Sequence, residues 1–359
     1  MEVFIDQVPH AVTIGVDTYS FEVKQGQPFH GIKNIPREPA LHVMHFQHSE
    51  NGTRYGYWLE SDAQDYVEFR YDGEKEIFTP RIFASDGDRS EGHRRFEQVN
   101  ALMVPYPAVD EEDSWNELTK HVRWPDVKCI AGCSDGLVYV DSAMTTSEEN
   151  KNLLNALSKG GRPQLNASAP TVEPTLNYTP IVFKSREAIR DDHKMEDFLD
   201  KSYYLHNVVL PRHHRNSMRS LLGELQWAFL NAMLFGSYGS SLQWHNLLEL
   251  VCCSSTVSEA HMSELDNALS RELRVMPELY ADTLLNEEVW AKCLDESFQG
   301  QRLHKTAVAA RELLPALDNA SDDGADYGAY EEALSHDQGL SDDDPDGPVV
   351  AERVLYRRR

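Results

Sequence analysis

The stretch FLNAMLFGSYGSSLQWHNLLELV (residues 229–251) sets a glycine–serine knot between two apolar runs. Read one way, the knot is a strained loop presenting a nucleophilic serine. Read the other way, it is the turn of a helical hairpin, and the second half of the chain is a set of packed helices. In the first run Leu225, Ala228, Phe229, Ala232 and Met233 fall at i, i+3, i+4, i+7 and i+8, the spacing of one helix face. Trp227, Leu230 and Leu234 make the opposite face apolar too, so this helix is expected at the centre of its domain. Gly236 stands where a left-handed residue would end it. Ser240 with Gln243 reads as a capping box for the second helix, whose Trp244, Leu247, Leu248 and Val251 form one stripe. A nucleophile elbow is G-x-S-x-G on a strand-to-helix turn. Here Ser237 follows Gly236 directly and a helix precedes it, so the spacing predicts a turn and not a catalytic serine.

The helical period continues around this hairpin. Candidate helices cover 195–210, 217–235, 241–253, 258–275, 286–298 and 303–314, which implies an all-α domain of antiparallel neighbours. YTPIVFKS (178–185) reads as a strand joining the two halves. Upstream, residues 10–83 read as strands. Val12, Ile14 and Val16 alternate with Thr13 and Gly15; LHVMHFQH (41–48), RYGYWLE (54–60) and DYVEFRY (65–71) follow, with turns at ENG (50–52) and YDGEK (71–75). That is the pattern of an antiparallel sheet. Helical periodicity returns at 93–104 and 114–122, LVYVD (137–141) is a short strand, and Thr146 with Glu149 opens a further helix that Gly160-Gly161 closes. The fold class expected is α+β with two domains, each with its own core. An N-terminal antiparallel β-rich domain covers 1–159, a Pro/Ala/Ser/Asn-rich linker 160–177 and an all-α C-terminal domain 178–317.

Residues 318–359 form the tail. Between 318 and 346 it holds eleven Asp/Glu and no Lys/Arg, so it is expected to be disordered. The last residues, PVVAERVLYRRR (348–359), change character. Val349, Val350, Val354, Leu355 and Tyr356 make a β-prone end suited to adding a strand to another protein's sheet, or else an unconstrained terminus.

The formal net charge of −25 repels phosphate backbones, so no strong direct nucleic-acid binding is expected, and a basic protein surface is the better partner. Five cysteines, two of them adjacent, suggest no disulfide framework. Cys129-x3-Cys133 lacks a second pair at zinc spacing. The N-terminus lacks the basic and apolar regions of a secretory signal, and no apolar run approaches the roughly 20 residues that span a bilayer, so no membrane partner is expected. His42, His45 and His48 would point to alternate faces of a strand and read as sheet histidines. His213-His214 reads as part of a solvated basic loop, and the Asp/Glu run 110–113 as the start of a helix. There is no phosphate-binding loop, dinucleotide fingerprint or kinase motif set, no acid/base pair placed by spacing, and no cofactor is expected. Nothing suggests a coiled-coil seam, and a monomer is expected before binding. The run from Cys253 to Glu259 is rich in hydroxyls. It serves as the N-cap of the next helix, or as a phosphorylation loop with Ser254, Ser255 and Thr256 as candidates; Ser341, followed by three aspartates, is another.

AVTIGVDTYSFEV, QPFHGIKNIP, HFQH, RYGYW, YVDSAMTT, NYTPIVFKSREAI, MEDFLDKSYYL, GELQWAFLNAMLFGSYGSSLQWHNLLELVC and LLNEEVW occur in that order between residues 11 and 290. Together they strongly resemble the A1 cistron-splicing factor family, on its budding-yeast side. The resemblance implies that the helical domain is VHS-like. It implies a non-enzymatic assembly factor of the U5 small nuclear ribonucleoprotein, found in a cytoplasmic precursor, with the nucleus as a second expected location. The implied partner is the large U5 core protein, bound at its RNase-H-like domain, with the C-terminal end adding a strand that bridges to its Jab1/MPN domain. The GTPase and U5 RNA of the precursor would be met only indirectly. Binding would keep the helicase and RNA from engaging early, and phosphorylation would help release. The VHS likeness taken alone would suggest instead a trafficking or ubiquitin-binding adaptor.

Overall fold

The computed structural model describes residues 1–8, 11–24, 26, 28–49, 52–107, 115–133, 136–159, 174–295 and 302–314. Most of the linker and the whole tail therefore lie outside the described residues. The N-terminal part carries β1 (Glu2–Asp6), β2 (Val12–Val16), β3 (Tyr19–Val23), β4 (Gly31–Lys33), β5 (Leu41–Gln47), β6 (Tyr55–Glu60), β7 (Tyr66–Asp72) and β8 (Ile77–Ile82). Then come α1 (Asp86–Val99), β9 (Val104–Pro105), α2 (Trp115–Thr119), α3 (Trp124–Ala131), β10 (Leu137–Asp141) and α4 (Ser147–Lys159). The rest is helical: α5 (Lys194–Leu199), α6 (Leu210–His213), α7 (Met218–Phe235), α8 (Tyr238–Cys252), α9 (Glu259–Val275), α10 (Glu278–Leu284), α11 (Glu287–Cys293) and α12 (His304–Leu313). The α+β class with a β-rich first part and a helical second part is as expected.

The strands form two five-stranded sheets and not one. The first has the order β8-β7-β1-β4-β9 and is mixed, with β1 parallel to β7 and β4 parallel to β9. The second, β10-β6-β5-β2-β3, is antiparallel throughout. Turn residues report only hairpins between sequence neighbours. The register Val3↔Val67, set across more than sixty residues, leaves no local mark.

The β5, β6 and β10 strands of the antiparallel sheet are covered on both faces, and their alternation shows how. Met44, Phe46, Tyr55, Tyr57 and Leu59 join the cluster shared with Val3, Ile5, Val67, Phe69 and Phe78 of the mixed sheet. Leu41, Val43, Trp58, Val138 and Val140, at the intervening positions, join the cluster of the helices. The order of layers is mixed sheet, antiparallel sheet, helices. One core thus crosses from the β-rich part into the helical part, where separate cores were expected. Trp58 seals the crossing: its indole N–H donates to Asn231 Oδ1 on α7 (3.0 Å) and its ring lies 5.9 Å from that of Trp227.

α7 is the centre of the helical part. Of its eighteen residues only Arg219 is not buried, in keeping with its two apolar faces. Gly223 lets the chain at 121–122 approach; a Cβ there would lie 2.4 Å from the His121 carbonyl oxygen. Gln226 fastens the same segment, accepting from His121 N (2.9 Å) and donating to the Glu117 carbonyl (2.9 Å).

Three expected elements differ. Residues 178–185 make no strand, because their backbone groups go elsewhere: Thr179 N donates to Glu224 Oε1 (2.8 Å), Val182 N to the Tyr204 hydroxyl (3.0 Å), and Ser185 N closes a turn on Val182 (3.1 Å). The helix expected over 195–210 is broken. α5 ends at Asp200 in extended backbone, and Tyr204–Val209 winds as a π-helical turn before α6. Pro211 follows, with no N–H to offer the carbonyl one turn back. His214 is buried rather than solvated, with its ring between Ser220 Oγ (3.2 Å) and Thr179 Oγ1 (3.1 Å); burial lowers its pKa to about 4.

Candidate functional site

The glycine–serine knot is a helix turn. Gly236 adopts φ +69° and ends α7. The cap of α8 is Ser237, whose hydroxyl accepts from Ser240 N (3.3 Å), so the expected Ser240–Gln243 box is displaced by one turn. Ser240 instead bonds Ser237 Oγ (2.8 Å) and the Tyr178 hydroxyl (2.8 Å), and Gln243 donates to Thr179 O and Glu224 (both 2.8 Å). Both serines are spent on structure.

The histidines of β5 each have their own partner. His42 lies between Asp17 Oδ2 (2.7 Å) and the Pro36 carbonyl (2.9 Å). Burial opposes its charge, yet the carboxylate and hydrogen bond of Asp17 raise its pKa above 6.5, and both ring nitrogens donate. Asp17 also accepts from Val43 N (2.9 Å) and the Tyr106 hydroxyl (2.6 Å). With His42 and Asp17 fully buried, this dyad is a clasp for backbone, not an acid/base site open to a substrate. His45, pushed by burial to about 4, meets Asp17 O at 3.1 Å, and His48 meets the Tyr55 hydroxyl at 2.7 Å. Among the described residues no three His, Cys, Asp or Glu side chains gather in a way that could hold a metal ion. The acidic run at 110–113 lies outside the described residues.

The hydroxyl loop after α8 is the most constructed surface among the sites expected from sequence. Its backbone is tied to the break between α5 and the π turn: Lys201 N donates to Cys253 O (2.7 Å). Asp200 is the hub. Its carboxylate accepts from Ser202 N (2.9 Å), Ser202 Oγ (2.5 Å), Ser255 N (3.2 Å) and the Ser255 hydroxyl. Thr256 N donates to Ser202 Oγ (3.1 Å). Desolvation would raise the Asp200 pKa, but the hydroxyls and N–H groups of Ser202 and Ser255 outweigh it and hold the carboxyl below its usual range.

The candidates of this loop separate by exposure. Ser254 is fully buried, and its hydroxyl donates to Leu250 O (2.7 Å) in the last turn of α8. A modifying enzyme cannot reach it in the folded chain. Ser255 and Thr256 are exposed. Ser258 caps α9, accepting from His261 N (3.3 Å), as the capping reading of this run expected. Ser341 and the strand candidates Val349, Val350, Val354, Leu355 and Tyr356 lie outside the described residues.

Beside the loop lies an apolar patch that sequence reading missed. Lys201 donates its ammonium to the Phe198 carbonyl and packs over the rings of Phe198 (5.0 Å) and Phe183 (5.5 Å), which brings α5 against the 182–183 turn. Val182, Met195, Phe198 and Leu199 are exposed there. In sequence MEDFLD reads only as the start of a helix over 195–210; the helix ends at Asp200 and leaves Met195, Phe198 and Leu199 exposed.

The chain matches the AAR2 N-terminal domain over residues 2–132 and the AAR2 C-terminal repeat region over residues 178–322. It is 43% identical over 355 residues to the A1 cistron-splicing factor AAR2 of Saccharomyces cerevisiae, covering 98% of this chain and 97% of that protein. It is 24% identical over 302 residues to the AAR2 homolog of Homo sapiens, covering 78% and 76%, and 25% identical over 303 residues to that of Pongo abelii.

Proposed function

The chain belongs to the AAR2 family, and from that premise we propose that it is a pre-mRNA splicing factor that works by binding, not catalysis. It is an assembly chaperone of the U5 small nuclear ribonucleoprotein. In a cytoplasmic precursor it holds the RNase-H-like and Jab1/MPN domains of the large U5 core protein, and it keeps helicase and RNA away until phosphorylation releases it. The observation that carries this reading is identity to a splicing factor running through nearly the whole chain. Two physical features support it. A charge of −25 suits a protein that occupies an RNA-binding partner while itself avoiding RNA. The Asp200 hub suits release by modification: a phosphate on Ser255 would set nearly two negative charges against the carboxylate that now accepts its hydroxyl. The loop and the 200–202 turn would separate, and the apolar patch beside them would change shape.

The test is calorimetric binding to the RNase-H-like domain of the cognate large U5 core protein, using the full chain, a chain ending at Leu317, and the full chain with Ser255→Glu. The reading expects tight binding by the full chain, weaker binding on truncation, and a loss of about tenfold or more for Ser255→Glu, about 1.4 kcal/mol. No binding by the full chain would overturn it. Tight binding that survives truncation would move the interface from the C-terminal end to the folded body.

A further inference from the structure

In a chain of net charge −25, one recess of the folded body is basic. It lies between α2, α9 and α12, is open to solvent, has a volume of about 370 Å³, and is lined by Glu117, Asn267, Ser270, Arg271, Arg274 and Lys305. Three cations face one carboxylate. A second recess, along α1, sets Arg89 and Arg94 against Asp65 and Glu97 and is balanced. The cations are placed by the fold. Arg271 and Arg274 follow each other on one face of α9, and Lys305 is held over that helix by its bond to Asn267 Oδ1 (2.6 Å). The positive end of α12 is already answered by Asp266, which accepts from Lys305 N (3.2 Å) and Thr306 N (2.8 Å). The preference of the recess for an anion therefore comes from its side chains.

We propose that the acidic segment 318–346 of this same chain docks on this recess, with its carboxylates against Arg274, Lys305 and Arg271. Three observations select this occupant. The first is charge: the segment carries eleven carboxylates and no cation. The second is position: α12, which supplies Lys305, is the last described helix, and the segment begins four residues past Leu314. The third is reach. Lys305 and Leu314 are separated by nine residues of helix, roughly 14 Å at 1.5 Å per residue. Eight residues of extended chain, from Leu314 to Asp322, cover up to about 28 Å. Asp322, Asp323 and Asp326 can all return to the recess. Exposed ion pairs are individually weak and screened by salt. Tethering compensates, because a short linker holds the segment at an effective concentration in the millimolar range. The docked state is reversible and salt-sensitive. The inference does not depend on which partner the protein binds.

The experiment uses the full chain labelled with nitrogen-15, and follows the amide signals of residues 318–346 by NMR at low salt and at about 0.5 M NaCl, where exposed charges are screened. The low-salt signals of Asp322, Asp323 and Asp326 should be shifted and several-fold broader than at high salt. Arg274→Glu with Lys305→Glu should bring them to the high-salt positions without added salt. Replacing the three aspartates by asparagine leaves the recess intact and should abolish the salt-dependent shift of the neighbouring tail amides. Tail signals identical in wild type and in the recess variant would overturn the proposal. So would a low-salt shift that disappears on tenfold dilution, since the occupant would then be a second copy of the chain.

Discussion

Glu272 is the residue most at odds with its surroundings. It is wholly buried on α9, one carboxyl oxygen accepts from the Trp244 indole N–H (3.0 Å), and the other has no partner. Burial pushes its pKa well above 4.5, so the folded state favours the neutral acid. The raised pKa sets the sign. Stability is full below the unfolded value near 4.5 and falls as pH rises from there toward the folded value. Glu272→Gln should therefore raise the melting temperature, by a margin that grows between pH 5 and pH 8. A margin independent of pH, read by calorimetry, would mean that the group does not titrate in that range. The buried pair Asp17–His42 also loses stability as pH rises, but from a higher starting point. His42 has a raised pKa, so its stabilisation is complete below 6.5 and is lost as pH rises through the folded value. Asp17→Asn should destabilise by about 3–5 kcal/mol, since it strands a buried cation, and the cost should shrink toward high pH. Denaturant titrations at pH 6 and pH 8.5 measure both quantities.

At the scale of elements, the α7–α8 turn and the loop after α8 make separate predictions. Gly236 holds φ +69°, which a Cβ disfavours, while nothing within 4 Å obstructs one. Gly236→Ala should thus cost about 1 kcal/mol through backbone strain alone. Ser237→Ala should cost about 0.5–2 kcal/mol by stripping the α8 cap. If Ser237 exceeds this range its bond to Ser240 contributes as well. In the hydroxyl loop, Ser255→Glu should raise hydrogen exchange at 200–202 and 254–257 and leave the global melting temperature nearly unchanged. Ser254→Glu should instead lower global stability by several kcal/mol, because it forces a charge into a buried site. Equal effects of the two would contradict the burial difference between adjacent serines.

Across the whole molecule, the crossing of one core from sheet to helices makes the described body a cooperative unit. Indole fluorescence, dominated by the buried Trp58, Trp227, Trp244 and Trp290, and far-ultraviolet dichroism should report one coincident unfolding transition. Two resolved transitions would mean that the Trp58–Asn231 junction is only docked. Gly223→Ala tests a second contact of α7, with the chain at 121–122. A methyl 2.4 Å from the His121 carbonyl must move backbone, so a loss of about 1–3 kcal/mol is expected.

The sequence by itself determined the class, the centre and many of the boundaries. Alternation marked β2, β5, β6, β7 and β10. The two-faced apolar pattern marked α7 as buried. Thr146 with Glu149 marked the start of α4, where both capping bonds form (3.2 and 2.7 Å). These features are local: each depends on a periodicity or cap within a few residues. The tertiary structure alone decided what depends on distant partners. It paired β1 with β7 across the chain, covered both faces of β5 and β6, and took the backbone of 178–185 onto Glu224 and Tyr204. It also sorted Ser254 from Ser255. Neighbours in sequence and alike in chemistry, they differ because the last turn of α8 turns one hydroxyl to Leu250 and the break at Asp200 draws the other to the surface. Spacing along a chain encodes which face a residue occupies, but what covers that face is set by chain folded back from far away.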